Sequence, residues 1–462
     1  MAKNNRWISA TLGVGSVSGV LTLLYFLNFD SLFDSMQGFY VSNGDFRQQF
    51  VNARIMGYRW VLLLFTTAVF VWCLSICFRK PLNAGFHRLY LFLGNRGRAA
   101  LYAVTVVLLA AGCLFFSQRE WVRYQRPCWD NYCRYAELMS EAFFSGNPAS
   151  KDALLAFMQS DYHANSPFVP AIVSVMHVFT GVNIVFAYRA ACGMASLAAV
   201  LITFFFLVPR FAIQKFLLLP MLVLIGSNMA FARSSIFPQT DPFILLWITA
   251  LMACALGWID KPRLGNSAGC CLLLVSGLFI KLSFLPALVL LPLWRFLQTC
   301  LAQGRLFPDK HSFPVRTLIV WALIFIILPL FAFWLFQYTY GLTSNYKSEL
   351  RHMVTEDSLF VLQAVSFLKV GLPFLMLIGM GWKRLQQQDY LLLSWVIVYV
   401  ASLWLAGTSG YVRFYLSLLP PLALLAARGL SHIRESMGPF PMWSYVAAWT
   451  CLHYATLALN AD

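Results

Sequence analysis

Acid is scarce in this chain: Asp and Glu number 18 among 462 residues, and charged residues of both signs make up 11%. So little charge excludes an ordinary soluble enzyme. No C-x-x-C zinc pattern and no Gly-rich phosphate loop is present, which removes two common classes of site. No internal repeat or low-complexity tract stands out, and no stretch is left for a separate soluble domain. A net charge of +16 invites a nucleic-acid reading. That reading fails, because Lys and Arg are scattered in short loops and form no basic face interleaved with aromatics. What the chain has in excess is apolar side chain: 60% of residues are hydrophobic and the mean hydropathy is +0.69. The expected class is an all-α, polytopic membrane protein.

A bilayer-spanning helix needs roughly 20 apolar residues. About 13 runs qualify, near 7–29, 59–78, 99–117, 183–208, 213–232, 242–259, 265–281, 283–299, 317–338, 359–381, 388–407, 413–428 and 442–459. The first, Trp7 to Phe29, lacks a cleavage site and reads as a retained helix. Short loops rich in Lys and Arg mark the cytoplasmic side. Placing Lys3, Arg6 and the acid-free Arg79–Arg98 loop there also makes Arg210, Lys215, Lys261, Arg263, Arg305, Lys383, Arg384, Arg428 and Arg434 cytoplasmic. The loop 118–182 then lies outside, with Asp241, the segment 341–358 and Arg413. This requires the run Phe168 to Thr180 to be a juxtamembrane helix that does not cross.

The outer loop holds six of the scarce acids: Glu120, Asp130, Glu137, Glu141, Asp152 and Asp161. Asp130, Arg134, Glu137 and Glu141 recur at helical spacing, with Tyr135, Leu138, Met139, Ala142 and Phe143 largely opposite, so an amphipathic surface helix is expected. Ser150 reads as the cap of a second one. Most of the 11 cysteines sit in apolar runs as small hydrophobes. Cys128 and Cys133 flank Asp130 instead, and would form a disulfide if the loop faces an oxidising compartment.

Asp130, Asp241, Lys281 and Arg413 fall at one side of the membrane, where each charge needs a partner or a role. The bland readings are capping for Asp241 and Arg413, and interfacial anchoring for Arg189 and Lys281. The chemical reading is transfer from an anionic lipid donor, with a carboxylate as general base and cations stabilising a departing phosphate.

In order and spacing, residues 99–430 resemble the GT-C superfamily of integral-membrane glycosyltransferases. The closest pattern is that of the lipid A aminoarabinose transferase and protein O-mannosyltransferase branch. The resemblance rests on Trp129-Asp130, Arg134-Tyr135-Ala136-Glu137, Asp161-Tyr162-His163, Thr180-Gly181, Tyr188-Arg189, Phe231-Ala232-Arg233, Thr240-Asp241-Pro242-Phe243, Phe279-Ile280-Lys281 and Tyr411-Val412-Arg413-Phe414-Tyr415. It implies a catalytic membrane core over 99–430, preceded by an N-terminal pair of spans in 1–98 and followed by a C-terminal span in 431–462. It implies inverting transfer from a polyprenyl-phosphate sugar to a membrane lipid, cell-envelope glycan or protein acceptor. Asp130 would be the base and Asp241 a supporting acid, with Arg189, Arg233, Lys281, Arg413, Tyr132 and His163 binding substrate. The implied location is a bacterial inner membrane, with the site facing the periplasm. Relatives often carry two consecutive acids where this chain has Asp130-Asn131. A lone carboxylate beside an amide is a poor hard-cation site, so the resemblance leaves room for a divalent metal without indicating one. A lipid-linked glycan polymerase or ligase would favour a longer late external loop than 341–358. A transporter or flippase would favour midplane charges and related halves. A scaffold would leave the outer charges unexplained.

Overall fold

The computed structural model describes residues 66–124, 131–145, 148–261, 263–303, 315–342, 358–405 and 412–459. Among these the secondary structure is helical, with no strand, as a chain in hydrocarbon must be unless its strands close into a barrel. In order, the helices are α1 (Thr66–Cys77), α2 (Arg79–Tyr124), α3 (Tyr132–Phe144), α4 (Pro148–Ser160), α5 (Phe168–Thr180), α6 (Ile184–Arg210), α7 (Lys215–Gly226) and α8 (Met229–Ser234). They continue with α9 (Asp241–Asp260), α10 (Leu264–Ile280), α11 (Pro286–Gln303), α12 (Ile319–Tyr340), α13 (Ser358–Gly381), α14 (Asp389–Leu405), α15 (Leu419–Met437) and α16 (Pro439–Leu459). Among the described residues, five segments are long and apolar enough to cross a membrane: Ala99–Gln118 within α2, α6, α9, α12, and Val412–Met437, which joins a 3₁₀ turn to α15. The run at 7–29 lies outside the described residues.

One expected span is divided. The run 213–232 breaks at Ser227 and Asn228 into α7 and α8. Asn228 is fully buried, its side chain accepting from the Ala230 amide at 3.0 Å and donating to the Val370 carbonyl at 3.0 Å. A polar residue that satisfies its own broken backbone and reaches a neighbouring helix outweighs apolar continuity.

The main core is continuous from α1 to α16. At its centre α13 and α15 cross closely because Gly381 and Gly429 bear no side chain. A Cβ at Gly429 would collide with the Leu377 carbonyl, and one at Gly381 would press on the Arg428–Gly429 backbone. Small residues that let helix backbones touch are how membrane helices gain packing without a hydrophobic driving force. The turn from α15 to α16 passes through Gly438 at φ +105°. Asn83 of α2 staples that turn, donating to the Met437 carbonyl at 2.8 Å and accepting from the Phe440 amide at 2.9 Å. The axis of α2 is itself interrupted at Gly94, whose φ of 57° and ψ of −169° suit only glycine.

The 118–182 segment carries its own small core, with Tyr135, Leu138, Met139 and Ala142 of α3 against Leu154 and Met158 of α4, Ala164 and Leu342. The charged face of α3 is outermost, with Arg134 and Glu137 3.4 Å apart, so the amphipathic reading holds for this helix. Burial pushes the Tyr135 phenol well above its ordinary pKa. α4 begins at Pro148, so Ser150 lies inside the first turn and is not the cap. Proline fits a first turn because its missing N–H would have no partner there. α5 is 13 residues long, about 20 Å at 1.5 Å per residue, and so falls short of the roughly 30 Å hydrocarbon layer.

Candidate functional site

Between α8 and α9 the chain runs without helix from Ser235 to Thr240, yet Ser235, Phe237, Gln239 and Thr240 are all buried. Irregular backbone at membrane depth must find partners within the protein. Two come from α6, where Ser196 donates to the Ser235 carbonyl at 2.9 Å and the Cys192 thiol reaches the Gln239 carbonyl at 3.3 Å. A third is the Gln239 side-chain amide, whose Nε2 donates to the Ser234 carbonyl at 3.3 Å. This segment delivers Asp241 to the first turn of α9, followed by Pro242. An acid there is favoured by the helix dipole, and proline by its fixed φ.

Capping is only part of what Asp241 does. Its side chain is 6% exposed, and the Lys281 ammonium lies 3.0 Å from Oδ1 and the Arg413 Nε 3.9 Å from Oδ2. Lys281 sits where α10 unwinds into the 3₁₀ turn Leu282–Phe284. That turn folds back tightly because Gly277 leaves room for the Phe284 ring, which a Cβ would strike. Arg413 is the second residue of the 3₁₀ turn Val412–Leu418, and its guanidinium also approaches Gln239 Oε1 at 3.4 Å. Both cations lie over the Phe414 ring, Lys281 Nζ at 4.7 Å and Arg413 Cζ at 5.4 Å from its centroid. The ring's negative face adds to their stabilisation. Behind them the buried Tyr399 phenol faces Ser417 and Ser283.

The structure therefore brings together three residues singled out from sequence: Asp241, Lys281 and Arg413. Their charges sum to +1 in a site where Lys281 is 21% and Arg413 15% exposed. Cationic donors so little exposed to water are suited to receive an oxyanion. Asp241 Oδ2 and the buried Thr240 hydroxyl make no hydrogen bond among the described residues, and buried polar atoms are rarely left so. The site thus combines cationic donors for an oxyanion with an open carboxylate oxygen that can accept from a hydroxyl. With two cations on its carboxylate, Asp241 does not suit a divalent ion.

The other candidates are placed differently. Arg189, on α6, donates to Gln118 Oε1 at 2.8 Å and ties α6 to the end of α2. Arg233 is half-buried on α8, which packs against the turn bearing Arg413. Tyr132 is buried in the main core at the start of α3. His163 lies in the 3₁₀ turn Tyr162–Asn165. Asp130 lies outside the described residues, as does Cys128. Cys133 is disulfide-bonded. Beside Asp130, Asn131 adopts the left-handed conformation at φ 46° and its amide donates to Asp161 Oδ2 at 2.7 Å. That bond ties the entry of α3 to the end of α4, on the stretch where Asp161-Tyr162-His163 was singled out. Sequence reasoning missed Gln239 and Phe414 as parts of the cluster. The crowding of polar residues just before Asp241 was the available signal for Gln239; for Phe414 there was none, since an aromatic beside arginine is common.

Comparisons with protein-family models, with curated proteins and with solved structures find no match to this chain.

Proposed function

We propose that this protein is an inverting glycosyltransferase of the GT-C type, moving a sugar from a polyprenyl-phosphate donor to a lipid, glycan or protein acceptor. In this reading the chain has about 13 spans, an extracytoplasmic first core loop, and its site on the periplasmic face of the inner membrane. One observation carries the proposal: a buried carboxylate shared by two cations over one aromatic ring, at helix ends. Lys281 and Arg413 hold the donor phosphate. Asp130 removes the acceptor hydroxyl proton as that oxygen bonds the anomeric carbon on the face opposite the phosphate. The bond from the anomeric carbon to the phosphate oxygen breaks, and its electron pair leaves with the polyprenyl phosphate. The two cations stabilise that growing charge in a site largely shielded from water. Asp241 keeps them pointed at it.

Profiling lipid-linked sugars by mass spectrometry, in cells with and without the gene, identifies the donor that accumulates. With that donor, Asp130→Asn lowers turnover about 10²–10⁴-fold, the usual cost of losing a general base. Glu141→Gln, on the exposed face of α3, leaves it unchanged. Near-normal turnover in Asp130→Asn would refute the base assignment, and no accumulating lipid-linked sugar would refute the reaction class.

A further inference from the structure

At the other end of the helices from Asp241 there is a second polar site that the transferase reading does not use. A cavity of about 240 Å³ opens between the turn at Ala212–Leu217, the segment after α13 and the last turns of α15. Its polar lining is Gln214, Arg384, Gln386, Arg428, Ser431 and Glu435. The distribution of Lys and Arg assigns this end to the cytoplasm.

Two kinds of arginine line it. Arg428 is fixed. Its Nε and Nη2 bind the two oxygens of fully buried Asp389 at 2.8 and 3.1 Å, and Nη2 also reaches the Phe211 carbonyl at 2.9 Å and Gln386 Oε1 at 3.1 Å. Asp389 is spoken for as well, accepting from the Gln386 amide at 2.8 Å. Arg384 is nearer the water, 37% exposed, and is held at the mouth, where it donates to Glu435 Oε2 at 2.5 Å. The other Glu435 oxygen accepts from the Ser431 hydroxyl at 2.7 Å, and Glu435 is itself 47% exposed.

The geometry points to a phosphate site whose seat is occupied by the chain's own carboxylate. Glu435 shows where an oxyanion is received: by the Arg384 guanidinium on one oxygen and the Ser431 hydroxyl on another. Arg384 and Arg428 are balanced by Glu435 and Asp389, so the cavity is neutral while Glu435 is in place. If Glu435 swings out to water, one positive charge is left, which a singly charged phosphodiester matches. Arginine binds phosphate with a rigid planar fork, and here it projects from a segment that also exposes Trp382 and Lys383. A tryptophan with basic neighbours marks the level of lipid headgroups. The ligand chemistry is therefore a phosphate oxyanion, and its charge and position favour a phospholipid headgroup over free phosphate. Glu435 competes with it, which makes the contact self-inhibiting.

The full chain would be placed in nanodiscs of phosphatidylcholine with and without phosphatidylglycerol. Retained lipid would be counted by native mass spectrometry, and inorganic phosphate titrated separately. Glu435→Gln removes the competitor and should tighten binding about tenfold, whereas Arg384→Gln should weaken it at least about tenfold, the usual weight of a charge-assisted hydrogen bond. Ser431→Ala should weaken it less. Retention of phosphatidylglycerol without phosphate binding identifies the lipid as ligand, and binding of inorganic phosphate identifies a soluble one. The proposal is overturned if Glu435→Gln binds neither probe, or binds no more tightly than the unaltered chain. Both side chains of the pair are partly exposed, and a melting curve of each variant confirms folding before binding is compared.

Discussion

Asp241→Asn would remove a carboxylate charge that Lys281 and Arg413 share. Asp241 is nearly fully buried and its cations are 21% and 15% exposed. Breaking a buried ion pair by removing one partner typically costs about 3–5 kcal/mol. The partial exposure of both cations places Asp241→Asn near the lower end, at about 3 kcal/mol. Lys281→Met alone leaves Asp241 facing Arg413 at 3.9 Å and should cost about 1–2 kcal/mol. The double variant replaces the close pair with neutral groups and should recover about 2 kcal/mol relative to the sum of the singles. Denaturant unfolding in mixed micelles, followed by tryptophan fluorescence, measures each corner of the cycle. If the site receives an anion, a short-chain phosphate ester should restabilise Asp241→Asn by about 2.7 kcal/mol at a hundredfold excess over its Kd. Strictly additive single variants, or an Asp241→Asn protein as stable as the parent, would show that the three residues do not act as one cluster.

The remaining predictions concern packing and topology. Gly429→Ala should destabilise by about 1–3 kcal/mol through overpacking at the α13–α15 crossing. Gly85→Ala, where an added Cβ meets nothing within 4 Å, should not destabilise, and equal melting temperatures for the two would contradict the close crossing. Asn83→Ala removes both staples of the turn at Gly438 and should cost about 1–3 kcal/mol, read as a lower unfolding midpoint. For sidedness, cysteines introduced at Ser150 and Lys215 in a cysteine-depleted background would be exposed to an impermeant thiol reagent in intact cells. Ser150 should label and Lys215 should not, and the reverse pattern would invert the topology.

Much of the helical layout was legible because hydrocarbon leaves a chain few choices. A long apolar run must satisfy its own peptide groups, and helix does so locally. α6, α9 and α12 accordingly begin and end within a few residues of their apolar runs. Where local polar bonding competes with hydropathy, that reading fails: Asn228 splits one run in two, and Pro148 starts α4 ahead of Ser150. The charged residues at helix ends were legible for a related reason, since charge beside a membrane is costly and stands out.

Sequence alone therefore determined that the chain is a bundle of apolar helices, and that Asp241, Lys281 and Arg413 were worth singling out. It could not determine that one carboxylate would take both cations, with Phe414 beneath them and Gln239 beside Arg413. Lys281 is 40 positions from Asp241 and Arg413 farther still, and no local spacing rule links residues so distant. Nor could it show why Gly381 and Gly429 are glycines, or that Glu435 occupies the seat between Arg384 and Ser431. Those facts depend on which helix surfaces meet, and close packing of whole helices settles that.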